Sequence, residues 1–148
     1  MKFGIIRERK NPPDRRVVLS PEECQNVLSK FPKAEILVES SPIRVFSDKE
    51  YAEKGLPVVE HMETCEVLLG VKEVPIEVLI PNKKYFFFSH TIKKQPYNRE
   101  LLRAILDKNI ELYDHEVITN AKGARLVAFG RYAGIVGAYN GFRAYGLK

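Results

Sequence analysis

Three short strings concentrate the residue types that move protons or hold carboxylates. Gly70-Val71-Lys72-Glu73 places a lysine and a glutamate behind an apolar run, and Ser89-His90 follows the apolar Tyr85–Phe88 with Lys93 three residues on. Asp114-His115-Glu116 follows Ile110–Tyr113. An imidazole gives and takes a proton near neutral pH, which makes His90 the leading acid–base residue. A histidine at the same position also serves simply by bonding a carbonyl, and position alone does not separate the two readings. Lys72 stands in the same balance. Desolvation disfavours the charged form of a lysine and opens acid–base use, whereas the neighbouring Glu73 favours the charge. Arg15-Arg16, ahead of Val17-Val18-Leu19, offers a guanidinium fork to a carboxylate, against the commoner fate of a surface arginine. Glu73 and Glu116 taken singly read as solvated carboxylates. His61 and His115 lack a recommending context and read as surface or supporting residues.

The elements that must carry these residues follow from periodicity. Lys2–Ile6 reads as a strand that runs into a charged loop holding Pro12 and Pro13. Ser20-Pro21-Glu22-Glu23 is a helix start with a capping box, and Cys24, Val27, Leu28 and Phe31 give that helix its apolar stripe up to Pro32. Ile36–Val38 predicts a second strand, and Ser47–Lys54, closed by Gly55, a short capped helix. Strands are expected at Val67–Val71, Tyr85–Ser89, Ile110–Tyr113 and Leu126–Phe129, with a helical turn from Pro75 and an amphipathic helix over Asn98–Lys108. Alternating strands and helices imply an open, mostly parallel, Rossmann-like α/β sheet with helices on both faces. In such a sheet the strand ends that deliver Arg16, Lys72-Glu73, His90 and Glu116 meet at one edge, where ligands gather.

The composition narrows the function. The chain has 148 residues, 45% of them hydrophobic, enough for one core and too few for a two-domain enzyme. Apolar runs such as Tyr85–Phe88 fall far short of the roughly 18–20 residues of a membrane helix, and the N-terminus has no signal-peptide pattern. A cytoplasmic protein with no membrane partner is expected. The net charge of +5 is broken into alternating basic and acidic segments, which favours small anionic ligands and argues against a nucleic-acid partner. Cys24 and Cys65 show no CxxC and no histidine at ligand spacing, so a disulfide framework or metal site is not expected and both read as buried hydrophobes. The aromatic run Phe86-Phe87-Phe88 reads as buried strand, since no basic residues interleave it.

Residues 130–148 differ in kind. Gly130, Gly134, Gly137 and Gly141 fall at spacings that put all four on one face of a helix, bare enough for another backbone to approach. Neither GxGxxG nor a phosphate-binding GxxxxGK[ST] string is present, so packing is favoured over a phosphate cradle.

RERKNPPDRRVVLSP, GVKE, FFSHTIKKQ, YDHE and ARLVAFGRYAGIVGAYNGFRAYG together resemble, in order and across essentially the whole chain, one domain. It is the N-terminal domain shared by alanine dehydrogenase, the transhydrogenase alpha subunit and saccharopine dehydrogenase. SHTIKKQ and AFGRYAG are most similar to lysine-forming saccharopine dehydrogenases. The resemblance implies an oxidoreductase linked to NAD or NADP that interconverts saccharopine with lysine and 2-oxoglutarate. An alanine dehydrogenase-like domain, or a stand-alone amino-acid or oxoacid-binding module, is the alternative. It further implies Lys72 and His90 as acid–base pair, Arg16, Lys93 and Arg125 as holders of substrate carboxylates, and Glu73 and Glu116 as residues that tune the basicity of their neighbours. On this reading residues 1–129 form the substrate-side domain and 130–148 begin an interdomain helix, whose glycine face serves a homodimer or another domain. The nucleotide-binding Rossmann domain is expected elsewhere, in a further domain or a separate subunit. No cofactor-binding residue, bound cofactor or activity is expected of the chain by itself.

Overall fold

Residues 1–147 are described by the computed structural model, which resolves into two compact units, Met1–His115 and Glu116–Lys148. The last residue of the glycine-rich segment, Lys148, lies outside the described residues. In the first unit six strands form one sheet: β1 (Lys2–Ile5), β2 (Glu35–Glu39), β3 (Val58–Val59), β4 (Val67–Leu69), β5 (Lys84–Phe87) and β6 (Glu111–Asp114). Their order is β3-β2-β1-β4-β5-β6, and every pairing is parallel. The chain therefore builds outward from β1 in one direction, returns, and builds outward from β4 in the other. The reversal puts a topological switch point between β1 and β4.

Helix α1 (Pro21–Lys30) begins at Ser20, whose hydroxyl accepts the Glu23 N–H while the Glu23 carboxylate accepts that of Ser20; Phe31 ends it, ahead of Pro32. The same reciprocal cap joins Ser47 and Glu50 at α2 (Asp48–Glu53), and Gly55 leaves it at φ +73°. Helix α3 (Arg99–Asp107) buries Leu101 and Ile105.

The period-two alternation of the strands divides the core. Ile5, Ile36 and Val38 face Cys24 of α1 and Tyr51 of α2. Leu68, Tyr85 and Phe87 face Leu101 and Ile105 of α3, with Met62 and Cys65. Helices thus cover both faces. Gly4 is required by this second layer, because a Cβ there would lie 2.8 Å from Met62 Sδ and 2.9 Å from Leu68 Cδ2.

Two differences from the sequence reading stand out. Val58–Val59, too short to show alternation, is the edge strand β3. Leu126–Phe129, expected as a strand, is not one. In the second unit Thr119 and Arg125 make an isolated antiparallel bridge around a turn, with the Asn120 side chain accepting the Lys122 and Ala124 N–H groups. The apolar run then feeds directly into helix α4 (Gly130–Gly146), whose Ala133 N–H takes the Phe129 carbonyl.

Candidate active site

The switch-point edge collects the exits of β1, β4, β5 and β6, as the adjacency of these strands requires. From β4 come Lys72 and Glu73; from β5 comes His90; from the loop after β1 come Glu8, Lys10, Asp14 and Arg16. Glu73 lies between two cations or potential cations: one carboxylate oxygen is 2.9 Å from Lys10 Nζ and the other 3.8 Å from His90 Nε2. Lys93 Nζ stands 3.3 Å from His90 Nδ1. In the tautomer in which Nδ1 accepts from this ammonium, the imidazole N–H lies on Nε2, toward Glu73.

His90 is held in an uncommon backbone state, left-handed at φ 56°. Histidine tolerates this better than most residues, yet the conformation persists only where surroundings enforce it. Here buried Asn98 donates to the His90 carbonyl at 3.2 Å, and the Phe88 ring stacks on the imidazole at 6.2 Å between centroids. Just before it, buried Ser89 donates to Asp114 of β6 at 2.5 Å, tying β5 to β6 beneath the histidine.

The Arg16 side of the site forms a second cluster. Asp14 receives the Arg16 guanidinium in a bidentate pair, Nε at 2.9 Å and Nη2 at 2.5 Å. That bond, opposed by desolvation and aided by the charge of Lys72, holds the Asp14 carboxyl below its ordinary range, and Asp14 in turn raises Arg16. Glu8 shows the opposite shift. Burial pushes its pKa up, while hydrogen bonds from Val71 and Lys72 partly offset that. Of the two alternatives for His115, surface or supporting, the structure takes the second: it is 7% exposed, its Nε2 donating to the Gly70 carbonyl at 3.0 Å beside the Phe88 ring. His61 is exposed. It lines a cavity of about 530 Å³, whose wall includes Arg9, Glu39 and Tyr85 but neither Lys72 nor His90. A cavity of about 440 Å³ does border the site, lined by Lys10, Glu73, Tyr97 and Asn98.

Glu116 and Arg125 belong to the second unit, where they form an ion pair at 3.5 Å. Glu8, Lys10 and Asp14 escaped the sequence reading, because charged residues in a proline-containing loop look solvated. The one available signal was their place after the first strand of an α/β pattern.

The residues at the switch point do not suit a dinucleotide pyrophosphate. A glycine turn into a helix N-terminus is what such a group needs. Instead β1 runs into the long loop 6–20, and the Glu8 carboxylate already accepts the N–H groups of Val71 and Lys72. Among the described residues no cluster of histidine, cysteine and carboxylates could hold a metal ion, and no helix is long and apolar enough to cross a membrane.

Sequence comparison gives this geometry its context. Residues 4–136 match the family described as alanine dehydrogenase/PNT, N-terminal domain. The chain belongs to that family. It is 39% identical over 146 residues to the mitochondrial alpha-aminoadipic semialdehyde synthase of Bos taurus, covering 99% of this chain and 16% of that protein. It is 29% identical over 148 residues to the NAD(+), L-lysine-forming saccharopine dehydrogenase of Yarrowia lipolytica, covering 97% and 40%. The chain thus spans well under half of these relatives. Among solved structures, an L-alanine dehydrogenase superimposes with TM-score 0.68 at 19% identity over 84% of this chain and 35% of that one. The transhydrogenase from Sinorhizobium meliloti gives 0.66 at 18% over 81% and 36%. This alanine dehydrogenase/PNT N-terminal domain is therefore similar in sequence to part of longer proteins and shares its fold with part of longer chains.

Proposed function

We propose that the chain is the substrate-side domain of an NAD(P)-dependent oxidoreductase of saccharopine dehydrogenase type, which interconverts saccharopine with lysine and 2-oxoglutarate. The supporting observation is the placement of His90 and Lys72 on adjacent strand exits, with Glu73 linking Lys10 to His90 and Asp14 linking Arg16 to the charge of Lys72. A substrate with several carboxylates and one reacting nitrogen needs cations around a proton-transfer centre, and this edge supplies both. The relative whose name carries saccharopine and lysine chemistry, the saccharopine dehydrogenase of Yarrowia lipolytica, matches 97% of the chain.

NAD(P), bound by a domain or subunit of its own, would accept hydride from the carbon bearing the substrate nitrogen. The residues here handle charge and protons. Arg16 and Lys93 hold carboxylates, Arg16 being already oriented by Asp14. Lys72 and His90 take up and return the protons released as the nitrogen is oxidised and water cleaves the resulting imine. Glu73 fixes the imidazole proton on Nε2. Arg125 and Glu116 are assigned to carboxylate binding and tuning of basicity through the family resemblance. The glycine face of α4 is assigned to docking on the nucleotide-binding part or a second copy.

Turnover assays on the longest protein that contains this chain, with saccharopine, with lysine plus 2-oxoglutarate, with alanine and with pyruvate plus ammonia, under NAD and NADP, test the reading. Turnover of the saccharopine couple is expected. Turnover of alanine and pyruvate alone would replace it with the alanine dehydrogenase reading. Residues 1–148 by themselves are expected to be inactive.

A further inference from the structure

Glu8 is 9% exposed, and its side chain crosses from the exit of β1 to that of β4. Its two oxygens each accept a backbone N–H, from Val71 at 2.7 Å and from Lys72 at 2.9 Å. The rest of this backbone is anchored from the other side. Gly70 N–H donates to the Phe86 carbonyl at 2.9 Å, Phe88 N–H donates to that of Val71 at 3.0 Å, and His115 Nε2 donates to that of Gly70 at 3.0 Å. Glu8 is the charged member of this set, and bonds to an ionised acceptor are the shorter and stronger kind. The close approach is built in by glycine: a Cβ on Gly70 would fall 2.9 Å from Ile6 Cδ1 and 3.5 Å from Glu8 Oε1.

A carboxylate is an expensive way to satisfy two N–H groups in a buried place, since burial disfavours its charge. What distinguishes it from an amide is that both oxygens accept. Glutamine in the same pose would turn an N–H₂ group toward one of the two donors. We propose that Glu8 is a positioning residue for Lys72: by gripping the two peptides that carry it, Glu8 fixes where the lysine side chain leaves the sheet edge. This rests on the acid–base role given to Lys72 above. Misplacing a reacting group by about 1 Å can cost on the order of 100-fold in rate, so a loosened Lys72 peptide shows in turnover before it shows in binding.

The experiment pairs kinetics with a direct look at the bond. In the enzyme containing this chain, Glu8→Gln is expected to lower kcat by about tenfold or more with KM for the amino-acid substrate little changed. The loss should vanish in the Lys72→Met background, where there is nothing left to position. A Glu8→Gln enzyme with wild-type kcat, or a loss that multiplies that of Lys72→Met, would overturn the proposal. Wild-type turnover in Lys72→Met would instead remove the acid–base reading on which it rests, so the two failures are distinguishable. Should Glu8→Gln fail to fold, the wild-type chain decides by NMR. The Val71 and Lys72 amide shifts are expected to follow the Glu8 carboxyl carbon through one shared pH transition, and amides that ignore it would refute the grip.

Discussion

Glu73 holds Lys10 at 2.9 Å with one oxygen and faces Nε2 of His90 at 3.8 Å with the other. That single carboxylate connects the loop after β1 to the exit of β5 across the exit of β4, on which it sits. The site is therefore a property of strand order. Residues 10, 73 and 90 converge because β1, β4 and β5 are neighbours, and the connections between them only have to be long enough to return to the same edge.

On the proposed function, removing either Lys72 or His90 should slow the enzyme that contains this chain without emptying its site. His90→Gln and Lys72→Met are each expected to lower kcat by roughly 10²–10⁴, the usual contribution of a positioned acid or base, and each to abolish one limb of the pH–rate profile. Steady-state kinetics over pH 5–10 measure this. Wild-type rates in both variants would show that the edge is not the proton-transfer centre.

The Asp14–Arg16 pair makes the fold acid-sensitive in a defined direction. Asp14 has its pKa lowered in the folded chain, chiefly by the Arg16 bond. Its contribution is therefore present above the unfolded carboxyl pKa and lost as pH falls through the lower folded value. Asp14→Asn should accordingly unfold more easily than wild type at neutral pH, with the difference shrinking below about pH 4. The pair is partly exposed, so the effect should also weaken in high salt. Thermal melts at pH 7 and pH 3, with and without added salt, check both statements.

Both thiols should be inert in the native state. Cys24 and Cys65 are fully buried, and burial pushes the Cys24 pKa up to about 11 and raises that of Cys65. A thiolate is the reactive form, so Ellman's reagent at pH 8 is expected to modify neither residue until denaturant is added. Rapid labelling of folded protein would mean that the α1 or β4 layer opens locally.

Apart from β3, the strands and capped helices of the first unit were readable from residue order because each signal was local. A Ser-Pro-Glu-Glu start, a period-two run or a glycine stop needs no partner to be recognised. The same holds for the placement of Lys72 and His90 at strand exits, since both follow apolar runs. Glu8 and Asp14 were not legible, since their roles depend on partners across the sheet edge: Glu8 bonds Lys72 from 64 residues away, and Asp14 shares its field. For His115 the sequence left surface and supporting positions open. It follows a strand end as His90 does, but neighbouring Phe86 and Phe88 enclose its ring. Leu126–Phe129 carried a strand's composition without a strand to pair with.

Two glycines should answer substitution with opposite signs. At Gly4 a Cβ would press on Met62, Leu68 and Cys65 at 2.8–3.0 Å inside the core, so Gly4→Ala is expected to destabilise by about 1–3 kcal/mol. At Gly137 nothing lies within 4 Å of an added Cβ. Alanine there replaces the poorest helix former short of proline with the best, so Gly137→Ala should stabilise α4 by up to about 1 kcal/mol, read as increased helical circular dichroism. A helix that forgoes this gain at Gly130, Gly134, Gly137 and Gly141 keeps its surface bare at a cost, and the docking role proposed for that face is what the cost would serve. Gly137→Leu carries the bulk that an interface would not accept. It should leave the melting of the Met1–His115 unit unchanged while weakening association or activity of the longer protein. Unchanged association and activity would remove the docking role of that face.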